Sequence, residues 1–176
     1  MNKLGRLIPI IREISRVQKP GKKTLQKLVY LIERKGIKLG FDYSIHYYGP
    51  YSSGLDYAIH RLEMQGVLKI NTEGMTHQIV LTEDGGLIWE GEEETLSGEE
   101  LPLFEDVIAK FAAKSAYDLE IITTTDYVAQ QLKANGESWD HDSIVKGVKK
   151  IKGDKFTQEK IEEAIAILQK EGYLEL

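Results

Sequence analysis

The sequence has no cysteine among its 176 residues and no long run of apolar residues. The lack of cysteine excludes disulfide bonds, a thiol nucleophile and a thiolate metal site. A membrane-spanning helix needs about 20 mostly apolar residues, so no membrane span is predicted. The basic amino terminus also lacks the apolar segment of a secretory signal, and the sequence therefore predicts a cytoplasmic protein.

Patterns that would indicate catalysis or metal binding are scarce too. The four histidines never have the HxxH or HxxxH spacing that places two ligands on one helix face. Asp118 and Glu120 are two residues apart and point to different faces of a helix, so they do not form a catalytic pair of carboxylates. Helix capping explains Ser52 and Ser53 without a nucleophile. We predict no catalytic residues, no metal and no cofactor, and hence a protein that is not an enzyme.

Charge is distributed unevenly along the chain, whose net charge is −5. Residues 1–38 hold eleven Lys or Arg against two Glu, a net charge of +9, whereas residues 83–106 hold ten acidic residues and no basic one. Such polarity indicates either pairing within the molecule or across a homodimer, or a basic face for an anionic partner such as nucleic acid. We favour the first interpretation.

The stretch Tyr43–Ile70 encodes a strand, a helix and a second strand. Pro50 has no amide hydrogen and disfavours helical angles at Gly49, so a turn is predicted there. Ser52 or Ser53 can cap the following helix, whose apolar stripe has helical spacing and predicts one buried face: Leu55, Ala58, Ile59 and Leu62. Alternation places Tyr43, Ile45 and Tyr47 on one face of the first strand and Ser44, His46 and Tyr48 on the other, and we expect one of these faces to pack against the core.

The next segment predicts a hairpin, because the apolar runs 67–70 and 78–81 flank a loop that contains glycine. A helix followed by a hairpin is typical of winged-helix domains. Other helices are predicted over 4–17, from a Thr24 cap to Gly36, over 98–113 after the Ser97/Glu100 capping box, over 115–132, over 143–150 after Asp142, and over 158–171 after Thr157.

The predicted fold class is mainly α with a small β-hairpin or sheet. We expect a winged-helix-like N-terminal lobe packed against a C-terminal helical lobe. The predicted boundaries are a winged-helix-like domain over 1–88, an acidic connector over 89–96 and a helical domain over 97–176.

Three motifs resemble a known family: Gly21–Ile32 (GKKTLQKLVYLI), Tyr47–Ser52 (YYGPYS) and Leu62–Val67 (LEMQGV). They are similar to the YwgA-like family of small, largely uncharacterised prokaryotic proteins, and more distantly to the Panacea domain of SocA-type antitoxins. The resemblance covers roughly residues 1–82, and more weakly 145–171. It implies a mostly helical, winged-helix-related regulator or adaptor that acts through protein partners.

The sequence departs from a tight helix-turn-helix, because Ser53 follows Gly36 by 17 positions where about four would be needed. The leading prediction, which rests on the resemblance and on the absence of a catalytic constellation, is a non-enzymatic regulatory or adaptor protein. The alternative, which rests on the predicted hairpin and the +9 amino-terminal segment, is a winged-helix DNA-binding transcription regulator. Two sets of candidate site residues follow. The predicted anion or nucleic-acid contact, at a helix N-terminus, is Arg12, Arg16, Lys19, Lys22, Lys23 and Lys27. The predicted partner surface is Tyr48, Tyr51, His60 and Arg61.

Overall fold

The computed structural model describes residues 2–83 and 94–176. Within these ranges the chain forms seven helices and two hairpins, which confirms the prediction of a mainly helical fold with small β elements. The elements are α1 Lys3–Val17, α2 Lys22–Arg34, β1 Ser44–His46, β2 Gly49–Tyr51, α3 Ser53–Met64, β3 Leu68–Asn71, β4 Gln78–Leu81, α4 Glu100–Phe111, α5 Ala116–Ala134, α6 His141–Lys152 and α7 Gln158–Lys170.

A short 3-10 turn at Gly153–Lys155 joins α6 to α7. Among the helices of the described ranges, none has both the length and the apolar character that crossing a membrane requires.

Helix α2 lies at the centre of the protein and is buried over 24–32. Its neighbours are α3, α4, α5 and β2. The predicted cap at Thr24 is wrong, because α2 begins at Lys22 and the Thr24 side chain is buried. The earlier start follows from the chain before the helix, where the Lys22 N–H donates to the His77 carbonyl at 3.0 Å and holds the first turn in place.

The β1–β2 hairpin corrects the prediction of a turn at Gly49 and Pro50. The strands are antiparallel, with His46 opposite Gly49 and Ile45 opposite Pro50, so the turn is made by Tyr47 and Tyr48. Gly49 has a φ of +102°, a value that glycine adopts without a side-chain clash. Pro50 is tolerated because a two-stranded hairpin has edges where a missing N–H leaves no partner unsatisfied.

The β3–β4 hairpin confirms the prediction for 67–81, with Leu68 opposite Leu81. The linker between α1 and α2 pairs with strand β4 of this hairpin. Gly21 bridges Gln78, and the Ile79 N–H donates to the Pro20 carbonyl at 2.9 Å. The hairpin is therefore joined on one side to the start of α2.

Two helix starts in the C-terminal half test the predicted caps. The Ser97/Glu100 capping box is present, since the Glu100 N–H donates to Ser97 Oγ at 3.2 Å and the Ser97 N–H donates to Glu100 Oε2 at 3.0 Å. The predicted Asp142 cap is wrong. Asp140 caps α6 by accepting the Ser143 N–H at 2.8 Å, so the helix begins at His141.

Buried side chains from both halves of the chain form one continuous core. As predicted, C-terminal helices pack on the N-terminal ones, chiefly through α5, which contacts α2 and β2. The boundaries at 88, 89–96 and 97 stay predictions, because residues 84–93 of the proposed connector lie outside the described residues.

Helices α5 and α6 approach each other closely at Gly147. A Cβ at this position would lie 2.6 Å from Val128 Cγ1, far inside van der Waals contact. The missing side chain therefore sets the separation of the two helices, and with it the position of Lys152 at the end of α6.

We predict that Gly147→Ala lowers the free energy of unfolding by about 1–3 kcal/mol, because overpacking outweighs the gain in helix propensity. Urea unfolding followed by circular dichroism measures the change. In a Val128→Ala background the same substitution should cost less than half as much, since the clashing methyl group is gone. An equal cost in both backgrounds would show that the close approach is not the cause.

Candidate functional site

The turn of the β1–β2 hairpin presents two tyrosines to solvent. Tyr47 is 75% exposed and Tyr48 is 45% exposed, and their rings meet edge to face with centroids 4.8 Å apart. The hairpin is anchored beneath them, because Gly49 and Pro50 are buried where β2 packs on α5. A Cβ at Gly49 would lie 3.0 Å from Thr124 Oγ1, so this close packing also requires glycine. The predicted alternation of strand faces does not reach Tyr47 and Tyr48, since both lie in the turn and not in the strand.

Three lysine ammonium groups surround these rings. Lys23 Nζ lies 3.2 Å from the Tyr48 ring centroid, and Lys155 Nζ lies 4.8 Å and 5.1 Å from the Tyr47 and Tyr48 centroids. Lys152 Nζ donates to the carbonyls of Tyr47 and, at 3.4 Å, of His46. Ammonium groups are attracted to the faces of aromatic rings, so the lysines restrain the turn. We call Tyr47, Tyr48, Lys23, Lys152 and Lys155 the Tyr–Lys surface.

Glu120 on α5 fixes two of these lysines. Its Oε1 accepts hydrogen bonds from Lys152 Nζ at 2.9 Å and Lys155 Nζ at 2.8 Å, and its Oε2 accepts from Lys155 at 3.1 Å. The side chains of Glu120 and Lys152 are only 6% and 5% exposed. Burying such charges is costly unless they are paired and hydrogen-bonded. This pairing fastens the hairpin, α5 and the end of α6 to one another.

Lys27 is a fourth lysine beside the same carboxylate. It is 2% exposed, and its Nζ donates to the Lys23 carbonyl at 3.1 Å. Burial lowers the pKa of Lys27 to about 8; Glu120 opposes this shift, and the ammonium groups of Lys23, Lys152 and Lys155 add to it. Lys27 is therefore a buried member of the predicted anion-contact set, on a side of α2 that the hairpin and α5 cover.

Beside the Tyr–Lys surface lies an open pocket of about 550 Å³. Its wall combines two lysines with apolar side chains, of which Ile151 is 44% exposed. Such a lining offers hydrogen-bond donors and apolar contact together. The lining residues are Ile45, His46, Tyr47, Ile151, Lys152 and Lys155.

The predicted anion-contact residues have different partners in the structure. Arg16 pairs with Glu13 at 2.8 Å, and Lys22 pairs with Asp56 at 2.9 Å. Lys19 is exposed and Arg12 is half-buried. Of the six, Lys23 and Lys27 join the cluster around Glu120, and the anion contact itself stays a prediction.

The predicted partner residues fall into two groups. Tyr48 belongs to the Tyr–Lys surface, while His60 and Arg61 are exposed on α3. The His60 ring lies 3.1 Å from Lys22 Nζ. Tyr51 is half-buried, and its ring lies against His46 with centroids 4.6 Å apart.

Sequence reasoning missed Glu120, Lys152 and Lys155, which come from the C-terminal half. One signal could have indicated the lysines, namely the run of five between 146 and 155. No local signal indicates the burial of Glu120, because its partners lie more than 30 residues along the chain.

A second buried carboxylate, Asp126 on α5, makes hydrogen bonds that hold parts of the fold together. It is fully buried and accepts from the Tyr30 hydroxyl at 2.6 Å and from Arg34 Nε at 2.6 Å. Arg34 also donates to the Tyr173 carbonyl. Burial and the adjacent Asp126 raise the pKa of Tyr30. These contacts hold α2 and the chain after α7 against α5.

Metal-binding geometry is absent from residues 2–83 and 94–176, where no three His, Asp or Glu side chains are grouped to hold an ion.

The lowered pKa of Lys27 predicts a pH dependence of stability. Between about pH 8 and 9.5 the unfolded chain, with an ordinary lysine pKa of 10.5, binds more protons than the folded protein. Lys27 should therefore add about 1.5 kcal/mol to the free energy of unfolding over this interval, so the wild-type value should rise by this amount relative to that of Lys27→Met. Urea unfolding at several pH values measures it. The exposed Lys150→Met is the matched control and should keep the wild-type slope; a wild-type slope in Lys27→Met would contradict the buried environment.

Comparison with known proteins adds no family assignment. No protein-family model matches the chain, and no curated protein matches it. The resemblance to YwgA-like and Panacea proteins stays a prediction based on the three motifs.

Proposed function

We propose that the protein is a non-enzymatic regulator or adaptor that binds a protein partner through its Tyr–Lys surface. The observation that supports this most directly is the exposure of Tyr47 and Tyr48 on a hairpin that buried ion pairs hold in place. Large aromatic side chains dominate the energetics of protein interfaces, and tyrosine is among the most enriched.

The restrained conformation of the Tyr47–Tyr48 turn favours binding. A side chain that is already restrained loses less conformational entropy when a partner covers it. The Tyr48 ring is restrained by the Lys23 ammonium, and Lys152 holds the Tyr47 carbonyl. The surface is therefore largely preformed.

Neighbouring residues extend this surface toward α5 and α6. Tyr117 and Ile151 are 46% and 44% exposed. The Tyr117 hydroxyl lies 3.5 Å from the Lys155 carbonyl, and its ring meets Phe156 edge to face. The face thus combines apolar contacts with excess positive charge, and it suits a partner with apolar anchors and an acidic rim.

A DNA-binding winged-helix regulator is the second candidate. It is supported by the order of α3 and the β3–β4 hairpin, with the chain at Gly21 paired to β4. The exposed face of α3 carries His60 and Arg61. Against DNA binding, Asp56 and Glu63 lie beside His60, and Asp56 also neutralises Lys22.

We predict that a Tyr47→Ala/Tyr48→Ala double variant loses its partner in co-purification from the native cell extract, with affinity reduced at least about 30-fold because two interface anchors are removed. Tyr57→Ala on α3 is the matched control, since Tyr57 is 67% exposed but lies outside the Tyr–Lys surface. Circular dichroism confirms that each variant folds. Loss of the partner in Tyr57→Ala with retention in the double variant would assign binding to α3 instead.

Duplex DNA binding separates the two candidates. Contacts to phosphates release counterions, so affinity for DNA should fall steeply as salt rises if the second candidate holds. Fluorescence anisotropy of labelled duplex at several salt concentrations measures this. Steep salt dependence that is weakened by Arg61→Gln and unaffected by the Tyr47/Tyr48 double variant would contradict the adaptor proposal.

A further inference from the structure

The charges around Glu120 do not balance. Four ammonium groups, those of Lys23, Lys27, Lys152 and Lys155, lie close to one carboxylate, which leaves an excess of three positive charges. Among the described residues, neither Lys23 nor Lys27 has a carboxylate partner; their contacts are the Tyr48 ring and the Lys23 carbonyl. Like charges so close together are unfavourable, so the cluster is suited to an added anion.

The ammonium groups of the cluster differ in exposure, and Lys23 is exposed at the surface. Lys152 and Lys155 line the pocket beside the hairpin, whereas Lys27 lies behind them and is buried. Lys155 is 29% exposed and uses both oxygens of Glu120. An ammonium group has three N–H donors, and Lys155 uses two of them on Glu120, so it can donate the third to an anion in the pocket. Lys152 has no spare donor, because its Nζ donates to Glu120 and to the carbonyls of His46 and Tyr47.

The size of the charge excess indicates which anion fits. A carboxylate would compensate one charge, while a phosphate monoester carries close to two negative charges and three acceptor oxygens. Lysine binds phosphate well as a compact point charge. The pocket also has an apolar side, formed by Ile45, Tyr47 and Ile151, that an inorganic anion would leave uncovered.

We propose that this pocket binds a small-molecule phosphate monoester whose ester group is aromatic or apolar. The phosphate contacts Lys155, and the ester group packs against Ile45, Tyr47 and Ile151. Lys23, Lys27 and Lys152 contribute to the attraction through their charge and do not contact the phosphate. Binding of this ligand does not require the protein partner, because the pocket supplies both the contact to the phosphate and the apolar contact to the ester group.

Phenyl phosphate, inorganic phosphate and benzoate are the probes, titrated at constant ionic strength and followed by nuclear magnetic resonance. Phenyl phosphate should saturate the site, with shifts concentrated at 45–47 and 151–155. It should bind about tenfold tighter than inorganic phosphate, which lacks the ring, and than benzoate, which carries a single charge. The pKa of Lys27, about 8 without ligand, should rise when phenyl phosphate is bound, because a nearby anion favours the ammonium form.

Lys155→Gln should weaken phenyl phosphate binding about tenfold, since it removes a charged donor. Lys150→Gln is the matched control, because it removes the same charge from an exposed position on α6 and should leave binding unchanged. If Lys155→Gln fails to fold, Ile151→Asp tests the same pocket by placing a carboxylate at its exposed rim, and it should abolish binding.

Three outcomes would overturn the proposal. Equal weakening by Lys155→Gln and Lys150→Gln would show non-specific charge attraction, and the absence of saturable shifts would show that no site exists. A tyrosine-phosphorylated peptide that binds at least tenfold tighter than phenyl phosphate would assign the phosphate to a protein chain and not to a small molecule.

Discussion

The architecture depends on two buried carboxylates on α5. Glu120 and Asp126 are 4% and 0% exposed, and a carboxylate buried without a cation costs several kcal/mol. Their cations come from elsewhere in the chain, Lys152 and Lys155 for Glu120 and Arg34 for Asp126. Helix α5 can therefore be buried only when α2 and the end of α6 are in place, which makes the two halves of the chain dependent on each other.

The same electrostatics determine what the surface presents. Lys152 Nζ binds Glu120 and the Tyr47 carbonyl together, so the pairing that satisfies a buried charge also fixes an exposed turn. Because Lys155 binds Glu120 and lies near the Tyr47 and Tyr48 rings, the position of the aromatic side chains follows from the position of a carboxylate beneath them. The Tyr–Lys surface is therefore held in place by ion pairs and hydrogen bonds to buried groups.

Local patterns could be predicted from the sequence, and contacts between distant segments could not. The apolar stripe from Leu55 to Leu62 and the Ser97/Glu100 capping box could be predicted, because helix periodicity and capping involve residues a few positions apart. The position of the hairpin turn was not, since Gly49 and Pro50 are fixed by packing on Thr124 and its neighbours in α5. Tyr48 and Lys23 of the candidate site could be singled out in the sequence, but the neighbouring Lys152 and Lys155 lie more than 100 positions further along the chain.

The central claim is that Glu120 holds the Tyr47–Tyr48 turn, and amide hydrogen exchange in Glu120→Gln tests it most directly. Without the carboxylate, Lys152 and Lys155 repel each other, and amides in the hairpin 44–51 should exchange at least about tenfold faster relative to those of α2. The exposed Glu159→Gln serves as control and should leave both segments unchanged. Hairpin protection in Glu120→Gln that falls only as much as α2 protection, or does not fall, would contradict the account.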